Sequence, residues 1–292
     1  QVDKALEMII AEREEWKKNL KPEDYQLRIS QKPINIEEAF AYRKVSKFPL
    51  HLLTKQIRRI EDQEYFREFV ELSRDEHGKI VSKESRKVPI SEFPISPKTV
   101  DKEGVVVVYE KPIKDPQFGA YYASIDPVSE GKTTTSDSLC SIFVYKAAQE
   151  VTKHKADGTI EQHIERDKIV AAWCGRFDDL NKTHERLEMI IEWYNAWTIV
   201  ENNISLFIQY MISRRKQKYL VPKSQILFLK ELSSNTNVFQ EYGWRNVGTR
   251  FKTNLISYAI QFLEEELDQE TMADGTIVKQ TYGIERIPDI ML

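Results

Sequence analysis

The sequence predicts an α/β protein in which helices flank a mixed β-sheet. From about residue 115 onward, short segments rich in β-branched and aromatic residues alternate with longer amphipathic segments. Three of the short segments follow one another closely, which favours an antiparallel meander, and the later ones are separated by helices, which favours parallel strands. The chain has 292 residues, of which 41% are apolar and 30% charged, so it is globular and long enough for a large core.

The first third of the chain is predicted to precede the main domain. Residues 1–20 form an amphipathic helix, and residues 21–50, with three prolines around "INIEEAFAY", form a linker with one short helix. Residues 51–110 start with the helix "PLHLLTKQIRRIEDQ", continue with a hairpin around His77-Gly78 and end with the strand "GVVVVYE". The predicted domains are therefore a helical extension and linker (1–50), a helix and hairpin (51–110) and the main domain (111–292).

The main domain is predicted from a run of eight elements. In order, these are the strands "GAYYASID", "SLCSIFVYKA" and "IERDKIVAAWCG", the helix "LNKTHERLEMIIEWYNAW", the strand "TIVENN", the helix "ISLFIQYMISRRKQK", the strand "SQILFL" and the helix "FKTNLISYAIQFLEEEL". Three strands followed by helix, strand, helix and strand is the order of a ribonuclease-H-like domain. The aromatic residues Trp193, Tyr194 and Trp197 are expected in the core rather than in a platform that stacks bases.

Charge and cysteine content exclude several classes of protein. The net charge of −3 gives no overall basic signature, so any surface for nucleic acid must be a local patch. Two cysteines exclude a disulfide framework and suit a reducing compartment. No apolar run approaches the ~20 residues of a membrane span, so no membrane association is expected.

The stretch "SIDPVSEGKTTTSDS" ends like a nucleotide-phosphate loop but lacks an essential glycine. Asp126 occupies the position five residues before Gly131 where that glycine is required. A carboxylate there repels phosphate instead of leaving backbone amides free to bind it. With no phosphate loop, we expect no ATPase activity from the sequence given, although this stretch could hold a cation.

Two carboxylates fall at the ends of predicted strands. Asp126 ends the first strand of the main domain and Glu201 ends the fourth. If these strands are neighbours, the carboxylates lie side by side and favour a hard cation such as Mg²⁺ between them. Two such ions ~3.5–4 Å apart can promote phosphodiester hydrolysis. The alternative for each acid is a helix cap or a solvated loop residue.

The segment "YYASIDPVSEGKTTTSDSLCSIFVYK" resembles the opening strand of the nuclease domain in the large terminase subunit of tailed bacteriophages. "TIVENN" resembles the second catalytic strand of that family, and "YGWRNVGTRFKTNLISYAIQFLEEEL" resembles its later Gly-Trp segment and basic helix. The segments "INIEEAFAY" and "FPLHLL" resemble the segment that connects the ATPase motor domain of that family to its nuclease domain. The resemblance covers about residues 20–292.

This resemblance implies an Mg²⁺- or Mn²⁺-dependent endonuclease that cuts concatemeric viral DNA with little sequence specificity during packaging. It implies Asp126 and Glu201 as metal ligands and Asp137 as a supporting acid, for which a turn residue is the alternative. Asp289 is a candidate third acid, or a helix cap, but the family's third acid is expected beyond Leu292. Both chain ends suggest a longer protein, with an ATPase motor upstream. Double-stranded viral DNA, the portal ring and the small terminase subunit are the implied partners, in the cytoplasm of an infected bacterium.

Contacts with DNA phosphates are expected from basic residues on two helices and one loop. The candidates are Arg214, Arg215, Lys216, Lys218, Arg250, Lys252 and Lys132. For the cluster at 214–218 the alternative is stabilisation of a helix C-terminus, and for Lys132 it is a solvated loop. Two other functions stay open: another ribonuclease-H-like enzyme, such as a transposase or resolvase, and a non-catalytic module that binds DNA or a portal.

Overall fold

A computed structural model describes most of the chain. The described residues are 2–20, 25, 28–29, 31–35, 38, 47–62, 66–91, 95, 101–128, 138–154, 160–226, 241–245, 249–271 and 277–289. The chain forms two compact units, Gln1–Leu53 and Thr54–Leu292. The predicted Asp137 and Lys132 lie outside the described residues.

The first unit is built on the predicted N-terminal helix, α1 (Val2–Asn19). Arg13 on this helix donates a hydrogen bond to Glu38 at 2.7 Å, and this contact holds the pKa of Glu38 below its usual value. The Lys32 ammonium lies 5.3 Å from the centre of the Trp16 ring. Polar and cation–π contacts therefore fasten the segment that follows α1 back onto the helix.

The strands of the described residues are β1 (Glu68–Arg74), β2 (Ile80–Glu84), β3 (Val106–Val108), β4 (Tyr121–Asp126), β5 (Cys140–Lys146), β6 (Gln149–His154), β7 (Ile160–Glu165), β8 (Lys168–Gly175), β9 (Trp197–Val200), β10 (Glu266–Thr271) and β11 (Ile277–Tyr282). The α-helices described after α1 are α2 (Leu50–Asp62), α3 (Leu180–Tyr194), α4 (Leu206–Ser213) and α5 (Thr249–Glu264). The predicted helix at 49–63 and hairpin around Gly78 are present as α2, β1 and β2.

The second unit is organised around one seven-stranded sheet with the order β2-β1-β3-β8-β5-β4-β9. All of its strand pairs are antiparallel except β4 and β9, which run parallel.

Alternation along β4 separates a core face of the sheet from an open face. Tyr121, Ala123 and Ile125 are buried, whereas the residues between them are exposed. The buried set packs in one hydrophobic cluster with Leu187 of α3 and Phe207 of α4. The α/β class with a mixed sheet flanked by helices is therefore confirmed, including the predicted meander of β4, β5 and β8.

Two helices end earlier than their apolar patterns predicted. Helix α3 stops at Tyr194 because Asn195 adopts a left-handed conformation (φ 50°), so that Trp197 starts β9 instead of extending the helix. Helix α4 stops at Ser213, and Arg215 has a φ of 58°.

Within the described residues, no helix combines the length and apolar character that a membrane span requires.

The structure adds two hairpins that the sequence did not indicate. Strands β6 and β7 pair with each other between β5 and β8, and β10 pairs with β11 after α5. The strand predicted at 224–229 is wrong at its start, where Lys223–Gln225 form a 3-10 turn; residues 227–229 lie outside the described part. The predicted helix at 251–267 ends at Glu264, where the chain enters β10.

Candidate active site

The ends of β4 and β9 bring the two predicted carboxylates together. These strands pair in parallel with Ile125 opposite Val200, so Asp126 and Glu201 are the next residues on each strand. The backbone amide of Glu201 donates to the carbonyl of Ile125 at 2.8 Å, which continues the ladder to the site. The two carboxyl groups themselves share a hydrogen bond. Residues 75 positions apart in sequence, 126 and 201, thus meet at one edge of the sheet.

The electrostatics of Asp126 are those of a carboxyl group that favours a proton or a cation beside it. Asp126 is exposed on one side, but the partial burial of its carboxyl group raises its pKa; the hydrogen bond with Glu201 lowers the pKa by less, so the net shift is upward. Two carboxylates in contact repel each other unless one is protonated or a cation lies between them. A carboxyl pKa raised by burial beside a second acid is also found at functional sites.

A short segment around Gly243-Trp244 holds the loop that carries Glu201. The Trp244 amide donates to the Val200 carbonyl at 3.0 Å, and the Asn202 amide donates to the Trp244 carbonyl at 2.5 Å. The Asn203 side chain donates to the Glu201 carboxylate at 2.5 Å. The sequence predicted "TIVENN" as a strand and "YGW" only as part of a resemblance, and it did not predict that the two segments pair.

Replacing Gly243 by alanine is expected to destabilise the fold by about 1–3 kcal/mol. Gly243 has a φ of 68°, and a Cβ there would lie 2.3 Å from the Val200 carbonyl oxygen. The backbone must therefore move away from the end of β9. Urea unfolding measures the loss, and Gly78→Ala, which has a similar φ of 77° but open space around the added carbon, is the matched control. A loss for Gly243→Ala no greater than for Gly78→Ala would contradict the close packing.

Asp289 does not join the acid pair. It is buried, accepts a hydrogen bond from the Tyr109 hydroxyl at 3.2 Å and pairs with Arg67 at 3.3 Å. Tyr109 follows β3 and Arg67 precedes β1, which places both at the end of the sheet where β4 begins, whereas Asp126 ends β4. The candidacy of Asp289 as a supporting acid is therefore corrected: it fastens the C-terminal segment to the sheet.

Arg214 and Lys216 are anchored by a buried glutamate. Arg214 contacts the Glu188 carboxylate at 2.7 Å and Lys216 contacts it at 3.2 Å, and Lys216 also pairs with Glu192. The Glu188 side chain is 0% exposed. Because these two cations neutralise carboxylates of α3, the structure favours their alternative role in anchoring the end of α4 over the predicted contact with DNA.

The other predicted phosphate contacts are less constrained. Arg215 and Lys218 are exposed after α4, and Lys252 is exposed on α5. The Lys218 ammonium lies 4.7 Å from the centre of the Tyr219 ring. Arg250 lies in the first turn of α5, and its side chain is outside the described part of the chain.

The donor set at the acid pair suits a hard divalent cation. Mg²⁺ is commonly bound by only one or two protein carboxylates and completes its shell with water and phosphate oxygens. Asp126 and Glu201 supply that number, and no cluster of three acidic, histidine or cysteine side chains suited to a metal occurs in the described residues. The pair therefore fits Mg²⁺ or Mn²⁺.

Comparisons with known proteins yield no match. No family model matches the chain, and neither a curated protein nor a solved structure is significantly similar to it.

Proposed function

We propose that this protein is a metal-dependent endonuclease with a ribonuclease-H-like domain that hydrolyses phosphodiester bonds in DNA. The observation that carries this proposal is the contact between Asp126 and Glu201 at the ends of neighbouring parallel strands. An acid pair of this kind, on an open edge of a sheet, is suited to bind Mg²⁺ or Mn²⁺ rather than to stabilise the fold.

The chain's own residues account for binding and orientation. Asp126 and Glu201 would hold the metal, and Asn203, which donates to Glu201 at 2.5 Å, fixes the orientation of that carboxylate. When bound, divalent ions at such a site activate water and stabilise the leaving oxygen of a phosphodiester. The exposed Arg215, Lys218 and Lys252 offer contacts to phosphates without reading sequence.

The biological setting that we propose is the cutting of concatemeric phage DNA during genome packaging. The sequence resemblance to the nuclease domain of terminase large subunits supports this setting. On the same resemblance, we propose an ATPase motor, a portal ring and a small terminase subunit as partners, in the cytoplasm of the infected host.

Plasmid nicking and Mn²⁺ binding test the proposal together. Supercoiled plasmid is incubated with Mn²⁺ or Mg²⁺ and the protein, and Mn²⁺ binding is followed by electron paramagnetic resonance. We expect Asp126→Asn and Glu201→Gln each to abolish nicking and weaken Mn²⁺ binding, because each removes one of two anionic ligands. Glu76→Gln is the matched control, since its carboxylate is 86% exposed at a hairpin tip.

The outcomes separate the proposal from its alternatives. Metal binding and nicking that are lost in both site variants and kept in Glu76→Gln support a nuclease. Nicking that survives both variants, or Mn²⁺ binding that neither variant weakens, rejects the acid pair as the site.

A further inference from the structure

An exposed group of aromatic side chains lies at the other end of β4 and β9. Phe118, Tyr122 and Trp197 form this group, which we call the aromatic platform. The Trp197 ring centre lies 5.6 Å from that of Phe118 and 6.3 Å from that of Tyr122. Phe118 is 52% exposed and Tyr122 is 39% exposed, so two of the three rings present much of their surface to solvent. Large apolar side chains grouped at the surface mark a binding site more often than a structural need.

The platform shares a face of the sheet with the acid pair. Tyr122 and Asp126 are four residues apart on β4, and both are exposed, as is Ser124 between them. Because side chains alternate along a strand at about 3.3 Å per residue, Tyr122 lies about 13 Å from Asp126 on the same face. Trp197 is directly opposite Tyr122 on β9, which puts it on this open face too. The predicted core position of Trp197 holds in part, because Trp197 is half-buried and packs against a small second cluster of Val221 and Ile226, whereas Tyr194 is fully buried in the main core.

A fourth ring extends this surface toward the acids. Phe143 of β5 is directly opposite Ser124, and it is 36% exposed. Ser141, two residues earlier on β5, is opposite Asp126. This face thus carries the rings of the platform at one end, Ser124 and Phe143 in the middle, and Asp126 with Ser141 at the other end.

Positive charge borders the platform. The Trp197 indole donates to the Leu220 carbonyl at 3.3 Å, so the segment after α4 is attached to the platform's edge. Lys218, two residues before Leu220, is exposed, and Arg215 is exposed just before it. Exposed aromatic rings next to exposed cations are complementary to the bases and phosphates of a nucleic-acid strand. A purely apolar partner would leave these cations without a counter-charge.

We infer that the aromatic platform stacks the bases of an unpaired nucleic-acid strand and leads that strand to the acid pair. Paired bases are enclosed in the duplex, so rings on a flat sheet face can stack only on bases that are unpaired or displaced. Lys218 and Arg215 are placed to contact the phosphates of the same strand. The substrate class is therefore DNA with an unpaired segment next to the cut. Only the link to cutting rests on the proposed function, because stacking needs neither metal nor hydrolysis.

Binding in the absence of metal tests the platform separately from catalysis. Fluorescence anisotropy compares a labelled oligothymidine with a blunt duplex of equal length, in buffer with EDTA. We expect the single strand to bind more tightly, and the double variant Phe118→Ala/Tyr122→Ala to weaken it by about tenfold or more, since each stacked base contributes about 1–3 kcal/mol. Phe66→Ala is the matched control: Phe66 is 57% exposed and precedes β1, four strands from β4 in the sheet.

A second measurement uses the unaltered chain. Ultraviolet cross-linking of a bromodeoxyuridine strand, followed by peptide mapping, is expected to label the peptides that contain Tyr122 and Trp197. Labelling confined to other peptides would overturn the inference, as would equal affinity of the double variant and the parent chain for the single strand. A double variant that only converts a dimer to a monomer in sedimentation would assign the face to a second copy instead.

The two proposals fail in different ways. If the platform is right and the nuclease proposal is wrong, single-strand binding depends on Phe118 and Tyr122 while no plasmid is nicked. If the nuclease proposal alone is right, nicking depends on Asp126 and Glu201 while the double variant binds and cuts like the parent chain. Asp126→Asn is expected to bind the single strand within about twofold of the parent chain, because it leaves every ring in place.

Discussion

Replacing Glu188 by alanine is expected to lower the free energy of unfolding by about 3–5 kcal/mol, the usual cost of removing one partner from a buried ion pair. The Glu188 carboxylate is 0% exposed and accepts contacts from Arg74 at 3.1 Å, from the Tyr210 hydroxyl at 2.7 Å and from Arg214 at 2.7 Å. Without the Glu188 carboxylate, the positive charges of Arg74 and Arg214 lie near one another with one negative charge fewer between them. The interface between α3 and α4 then holds unpaired polar groups.

Urea denaturation followed by circular dichroism measures this loss as a lower midpoint at an unchanged slope. Glu185→Ala is the matched control, because Glu185 is exposed one turn earlier on the same helix. Surface substitutions of that kind change stability by about 0.5 kcal/mol or less. A loss for Glu188→Ala below about 1 kcal/mol would show that the network contributes no more than a surface ion pair.

Lowering the pH from neutral to about 4 is expected to remove up to about 3 kcal/mol of stability through His184 alone. His184 is 3% exposed, lies against Phe207 and Tyr210, and its Nε2 has no hydrogen-bond partner among the described residues. Burial lowers the pKa of His184 from 6.5 to about 4. Between pH 6.5 and about 4, His184 therefore binds a proton in the unfolded chain but not in the folded chain. The stabilising contribution is complete above pH 6.5 and disappears as the pH falls toward 4.

Denaturation midpoints measured from pH 7.5 to 4 check this expectation. His184→Leu is expected to flatten the decline between pH 6.5 and 4, because leucine cannot bind a proton in either state. His77→Leu is the control: the His77 side chain is 82% exposed, and its replacement leaves the decline intact. A decline of equal steepness in His184→Leu and the parent chain would assign it to other groups.

Glu188 contributes to acid sensitivity in a lower pH range. Burial alone would raise the pKa of Glu188, but hydrogen bonds from Tyr210, Arg214 and Lys216 together hold it below its usual value of 4.5. A depressed carboxyl pKa stabilises the folded state above the ordinary value and loses that effect as the pH falls through it. Its effect is thus separate from that of His184, which begins near pH 6.5.

The sequence predicted the location of the acid pair because the relevant signals are local. An apolar strand that ends in an acidic residue can be recognised within a window of about ten residues. The two acids then meet if β4 and β9 are neighbours in the sheet. The end of α3 carried a usable signal as well: asparagine is, after glycine, the residue that most readily adopts the left-handed conformation that ends a helix. Asn195 does so, and recognising it would have moved Trp197 from the helix to β9.

Other features depend on contacts between distant segments, which periodicity does not report. His184 and Glu188 lie one turn apart among the apolar positions of α3, and this was a visible sign of a buried polar pair. Their partners, however, come from β1 and α4. Nothing local indicated that Asp289 would be buried against Tyr109, or that Gly243-Trp244 would pair with the end of β9.

The two acids differ in how firmly the sheet holds them. β4 is an inner strand, hydrogen-bonded along both sides, whereas β9 is the outermost strand of its sheet, with isolated bridges to Leu220 and Trp244 beyond it. Outer strands fray at lower free-energy cost than inner ones. Separation of β9 from β4 would move Glu201 away from Asp126 while most of the core stays folded. The contact between the two carboxyl groups can therefore be lost reversibly well before the fold is lost.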